Sequence, residues 1–348
     1  MNSKIIFNHE YYQNIIKEYS YDHVRLAEID FGLGSMPKEE IRSRWICHCD
    51  ANKFAGSDIS KSIVTTGIGL SGVPHIGTLT QIFGAIKLQK AGLNVQIVLG
   101  DLDAYNGKNI PLEKTLDLAK KYRNFILKLG FIEDGKSLIR DQYSELEVIR
   151  TMYLAGNQME DTDFDLTEED LHSFYKGHGK IDKYMSFRRK LSLALMSADF
   201  IDLILRKKYE NVLVMLGIDE HKYVLFAQKV MKKINKLGGY SGDISSIYSP
   251  VISGFNGYSK MSKSFPESSL KVEDSPEKVK SLIINNKIDS ADPAYNAVFQ
   301  MMTFVGNYTQ GELVERKDAY LSDEKKWEKY KKEYIKVVIR INSLWNQK

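Results

Sequence analysis

The chain has 348 residues, a formal charge of +4, 43% hydrophobic and 27% charged residues, and only 7 prolines. That composition excludes the disordered, collagenous and fibrous classes. Single cores stop growing near ~250–300 residues, so one large domain with a smaller companion is expected. The N-terminus has neither an apolar stretch nor a small-residue cleavage site, and no later run approaches the ~18 apolar residues of a membrane span. A cytoplasmic protein with no membrane partner is therefore expected, and the small positive charge permits a nucleic-acid partner without requiring one.

Residues 1–60 read as an N-terminal extension with helical patterns near 11–19 and 37–45. They are followed by a strand that holds the only cysteines, Cys47 and Cys49. Cys47-His48-Cys49 lacks both the C-x2-C spacing and the roughly four ligands of a zinc site, so partly buried thiols and no metal are expected. Ser62-Ile-Val-Thr-Thr66 is a β-branched run bounded by Gly67, the signature of a buried strand. Beyond a glycine-rich turn, Leu79, Ile82, Phe83 and Ile86 recur at helical spacing up to Gly92, and residues 95–99 form the next strand. This βαβ unit predicts an α/β fold, a Rossmann-like parallel sheet with helices on both faces.

The catalytic domain is expected over residues 61–255, with a helical insertion at about 105–185. Helices are predicted at 111–129, 140–154, 183–206 and 220–236, and a third strand at 212–216. Residues 160–170 are acidic. Asp161-x-Asp163-x-Asp165 imitates the start of a calcium loop, but Leu166 and His172 stand where glycine and glutamate are needed, so a solvated loop is expected. Residues 256–348 form a smaller helical C-terminal domain that opens with a Gly/Ser/Lys-rich loop.

In parallel sheets ligands bind at the carboxyl ends of strands, where glycine turns let the backbone approach and helix N-termini offer N–H groups to anions. Gly67, Gly69, Gly72 and Gly77 lie in such a turn, with His75 at the helix entrance able to donate to a phosphate oxygen. Lys260-Met-Ser-Lys-Ser264 brackets hydroxyl residues with two lysines on a loop that Gly254 and Gly257 can hinge. Such a loop can close over a triphosphate and neutralise departing pyrophosphate. Asp199, on a buried helix face, can accept a hydrogen bond from an indole N–H or a phenol O–H. Asp101 and Asp103 follow the second strand and can reach an ammonium group.

Together, Gly67 to Thr78 and Lys260 to Ser264 resemble the two signatures of the class I aminoacyl-tRNA synthetases. Leu195-Met-Ser-Ala-Asp199 and Gly217-Ile-Asp219 are similar to segments of the tryptophan and tyrosine subclass, tryptophan fitting best. The chain departs from that pattern at Gly69-Leu70, Thr78, Glu220 and Phe265. The resemblance implies that ATP, with Mg2+, activates an amino-acid carboxylate as aminoacyl-AMP, which is then passed to tRNA.

By matching position, His75, Thr78, Lys260 and Lys263 are the implied catalytic residues. Gly69, Ser71, Gly72, Gly77, Gly217, Asp219, Met261, Ser262 and Ser264 are implied to bind ATP, and Asp103, Met196, Asp199 and Glu220 the amino acid. A homodimer is implied as well. The basic C-terminus, with Lys325, Lys326, Lys329, Lys331, Lys332, Lys336, Arg340 and Lys348, is expected to meet tRNA. Two other readings are an adenylating paralogue with a peptide or small amine as acceptor, and a silent RNA-binding homologue.

Overall fold

The computed structural model of the chain describes residues 7–23, 29–165, 167, 185–287 and 290–347. In chain order the elements are α1 (His9–Glu18), β1 (Asp22–His23), α2 (Lys38–Arg44), β2 (Cys47–Cys49), α3 (Ala51–Ala55), β3 (Ser62–Gly69) and α4 (Ile76–Lys90). Next come β4 (Val95–Gly100), α5 (Asp101–Lys108), α6 (Leu112–Lys128), β5 (Leu138–Asp141), α7 (Leu146–Ala155), α8 (Asp161–Asp165), α9 (Phe187–Leu205), β6 (Asn211–Gly217) and α10 (His221–Lys236). After β7 (Asp243–Ser249) the chain is helical: α11 (Pro276–Ile284), α12 (Ala297–Val305), α13 (Gln310–Ser322) and α14 (Glu324–Asn346).

The strands form one sheet in the order β1-β2-β7-β6-β3-β4-β5. The pairs from β7 to β5 are all parallel, and β1 and β2 join antiparallel at the edge. Successive side chains of a strand face opposite ways, and here both faces are buried. Along β6, Val212, Val214 and Leu216 enter one core, while Leu213 and Met215 enter the other. The first core is closed by residues of α1, α9 and α10, the second by residues of α4, α6, α12 and α14. Burial on both faces is why these strands read as continuous apolar runs. The C-terminal helices thus share a core with the sheet: Trp327 and Trp345 lie in the same cluster as Val64 and Ile97.

The α/β architecture with helices on both faces is as the βαβ pattern predicts, and several elements differ. The helix expected at 140–154 splits: Arg140 and Asp141 belong to β5, and helix resumes only at Leu146. Strand β7 was not anticipated, because Ser245 and Ser246 make it look polar although both are buried. The N-terminal segment is part of the sheet through β1 and β2, with Cys47 buried and both thiols free.

The acidic stretch is not a solvated loop where described. Asp161–Asp165 is a short helix, and buried Asp163 pairs with Lys229 and with Lys233, the latter at 3.2 Å. Residues 166, 168–170, 172 and 183–184 lie outside the described residues. In the basic C-terminus Lys331 is buried. It donates to Ile284 O at 2.8 Å and pairs with Glu328 at 2.6 Å, so it is no surface cation, and Lys348 lies outside the described residues. Among the described residues no helix is long and apolar enough to cross a membrane.

Candidate active site

The chain runs outward from β3 to β4 and β5, then returns to place β6 on the other side of β3. Such a reversal leaves a crevice at the strands' carboxyl ends. A cavity of about 340 Å³ opens there, lined by the ends of β3 (Gly67 to Gly69), β4 (Val98, Gly100), β6 (Leu216, Gly217) and β7 (Ser249). Of the candidate residues that the resemblance implies, all but Gly72 line it. Gly72 instead offers its carbonyl to the buried Tyr122 hydroxyl at 2.8 Å.

His75 is the N-cap of α4, its Nδ1 accepting the Thr78 N–H at 3.3 Å. Gly77 packs close beside it: a Cβ there would stand 2.9 Å from the imidazole, so the ring would have to shift. Burial, then Lys263, Lys260 and Lys271, lower the His75 pKa to about 3. The ring is therefore neutral at physiological pH, with Nδ1 accepting and Nε2 left as the donor. The turn is stapled to the segment after the lysine loop: Ile76 N donates to Leu270 O at 2.9 Å and Val272 N to Pro74 O at 3.1 Å. This is how two segments nearly two hundred residues apart come to share one cavity.

In the lysine loop, Lys263 donates to Gly69 O at 2.6 Å, and its ammonium lies 5.5 Å from the Tyr122 ring centre. Burial lowers its pKa to about 7, against the opposing pull of Glu220. Lys260 pairs with Asp219 at 2.7 Å, both side chains being 14% exposed. Ser262 is used by the loop itself, its N–H donating to Ser268 Oγ at 2.9 Å and its Oγ accepting from Ser264 N at 3.2 Å. Met261 is buried and donates from its N–H to Ile252 O at 3.1 Å.

The other end of the cavity is lined by Leu193, Met196, Phe200 and Tyr223 together with Asp103, Gln142 and Asp199. Asp199 does not present a bare carboxylate. Arg140 Nη2 donates to one of its oxygens and Gln142 Nε2 to the other, each at 2.7 Å. Arg140 Nε continues to Gln96 at 3.1 Å, and Gln96 to Thr65 at 3.1 Å. Burial raises the Asp199 pKa and Arg140 opposes that shift. Gln142 also accepts the Asp103 N–H at 2.9 Å, and Ser192 donates to the Asp103 carboxylate. Asp101 is turned away from the cavity: one carboxylate oxygen accepts the backbone N–H groups of Leu102, Gln142 and Tyr143 at 2.8, 3.0 and 3.2 Å.

Sequence reasoning missed Arg140, Gln142, Ser192, Tyr122 and the 249–252 strand exit. A polar residue in a short strand gives no periodic signal that it faces a buried carboxylate. Among the described residues no group of three His, Cys, Asp or Glu is placed to hold a metal ion.

A glycine turn with a histidine cap, facing a two-lysine loop across the switch point of a parallel sheet, defines a nucleotide-dependent enzyme of the class I synthetase kind. The family described as tRNA synthetases class I (W and Y) matches residues 59–343, and the chain belongs to it, an aminoacyl-tRNA ligase family. The chain is 23% identical to the tyrosine–tRNA ligase of Methanopyrus kandleri over 276 residues, 75% of this chain and 76% of that one. It is 38% identical to the tryptophan–tRNA ligase of Thermoplasma volcanium over 71 residues, 20% of this chain and 17% of that one. A tryptophanyl-tRNA synthetase from Encephalitozoon cuniculi, solved with tryptophan, shares the fold at a TM-score of 0.73, with 17% identity over 96% of this chain and 94% of that one.

Proposed function

We propose that the chain activates an aromatic amino acid, tryptophan in the first instance, as aminoacyl-AMP and transfers it to tRNA. The observation that carries this reading is the convergence of His75, Lys260, Lys263 and Asp219 on one cavity at the carboxyl ends of β3 and β6.

A carboxylate oxygen of the amino acid attacks the α-phosphorus of ATP, and the bond to the bridging oxygen breaks with its electrons leaving on pyrophosphate. A tRNA hydroxyl then attacks the activated carbonyl and AMP leaves. No protein nucleophile is needed, so catalysis is positioning and charge stabilisation. His75 Nε2 donates to a phosphate oxygen. Lys263 neutralises the departing pyrophosphate, and phosphate charge draws its pKa upward. Asp219 accepts from the ribose hydroxyls, which compete with Lys260 for the same carboxylate, so nucleotide entry frees Lys260 to turn toward the phosphates. Mg2+ would arrive on the triphosphate as part of the substrate, since among the described residues the carboxylates form no cage of their own.

An apolar wall of Leu193, Met196, Phe200 and Tyr223 with Gln142 and Asp199 among its polar neighbours supports an aromatic side chain bearing a polar hydrogen. The reading carries a cytoplasmic homodimer with it. Its test is charging of total tRNA with labelled tryptophan, tyrosine and phenylalanine. Stable charging with tryptophan is expected. Pyrophosphate exchange without charging by any amino acid would remove tRNA as the acceptor.

A further inference from the structure

The N-terminal segment bonds to one residue that lines the cavity, Val251, and to one that adjoins its lining, His221. The Tyr12 hydroxyl accepts the Val251 N–H at 3.1 Å in a buried setting, and Val251, with Pro250 and Ile252, lines the cavity. The carbonyl of Ile252 in turn accepts the Met261 N–H at 3.1 Å. The backbone that Tyr12 holds is thus the backbone that anchors the lysine loop. Tyr21, for its part, shares a buried 3.0 Å hydrogen bond with Nδ1 of His221, the first residue of α10. His221 directly follows Asp219 and Glu220, which line the cavity.

These contacts do not follow from packing alone. Tyr12 and Tyr21 are 4% and 6% exposed, and their rings fill the same core as Ile218 and Val251. Apolar burial is non-directional and would be satisfied equally by phenylalanine. A hydroxyl adds direction: without it, the Val251 N–H is a buried donor with its acceptor gone, and the strand exit shifts or admits water to satisfy it. Such a displacement matters in a site whose catalysis is positioning.

We propose that Tyr12 and Tyr21 are positioning residues for the nucleotide, holding the strand exit at 250–252 and the turn at 217–221 at the spacing an ATP site requires. The N-terminal segment then belongs to the enzyme's working parts. The inference rests on reading the cavity as an ATP site, and its test separates the two.

Equilibrium binding of MgATP to the full chain is measured for the wild type, Tyr12→Phe and Tyr21→Phe, alongside thermal unfolding. Tyr320→Phe is the control, removing a comparable hydroxyl bond, to Ser290 O at 2.8 Å, away from the cavity. Each of the two positioning variants is expected to bind MgATP roughly 3- to 10-fold more weakly, the range a single lost hydrogen bond gives. The control should bind as the wild type does, whatever its melting temperature. Wild-type affinity in both Tyr12→Phe and Tyr21→Phe, even with lowered melting temperatures, makes the two hydroxyls structural only and overturns the inference. A wild-type protein that binds no MgATP overturns the ATP reading first, and this inference with it.

Discussion

The two ends of the cavity are built in different ways. At the His75 end the polar groups sit in short contiguous segments, and two of them are held by backbone: His75 by the Thr78 N–H, Lys263 by Gly69 O. At the Asp199 end they come from β3, β4, β5 and the residue after it, α5 and α9, and are held by one another, through Thr65, Gln96, Arg140, Asp199, Gln142 and Asp103. The first arrangement holds Lys263 by a backbone oxygen instead of a carboxylate, although Lys260 is paired with Asp219. The second spends its charges inside the protein, so the same kind of substitution should cost activity at one end and stability at the other.

Arg140→Ala should break the comparison most visibly. Arg140 and Asp199 are 7% and 3% exposed at their side chains, and removing one partner of a buried pair leaves an uncompensated charge worth about 3–5 kcal/mol. Chemical denaturation should show that loss. A loss under about 1 kcal/mol would mean that water reaches the pair and that Asp199 is open to substrate after all.

Lys263→Ala should do the opposite, lowering the pyrophosphate exchange rate roughly 10²-fold while leaving the unfolding midpoint nearly unchanged. If stability falls and the rate does not, the contrast between the two ends is wrong.

The pH dependence is the finer test. Free Lys263 has its pKa lowered to about 7 by burial, and bound phosphate favours its charged form. MgATP binding should therefore take up a proton, and affinity should fall as pH rises above about 7, by at most about tenfold per pH unit. In Lys263→Met that slope should flatten. Calorimetry in buffers of different ionisation enthalpy reads the proton directly, and no uptake by the wild type would remove Lys263 from the phosphates. The smallest effects expected are those of the two tyrosine hydroxyls described above.

The same contrast explains what was legible in the sequence. A glycine turn capped by His75 and a loop bracketed by Lys260 and Lys263 each occupy a few adjacent residues, so order along the chain nearly equals order in space. Strands β3, β4 and β6 are buried on both faces and declare themselves as apolar runs. Strand β5 is an edge strand of four residues containing Arg140 and Asp141, and its polar residues look helical until Asp199 is known to lie opposite. Strand β7 hides behind two buried serines. The roles of Tyr12 and Tyr21 depend on contacts 239 and 200 residues away, and no local pattern encodes those.

The step proposed for these residues is the joining of an amino-acid carboxylate to AMP. Amino-acid-dependent exchange of labelled pyrophosphate into ATP, run with each of the twenty amino acids, measures that step alone. Exchange is predicted with an aromatic amino acid, tryptophan foremost, and its near loss in Lys263→Ala; exchange with none of the twenty, or undiminished exchange in that variant, would contradict the account.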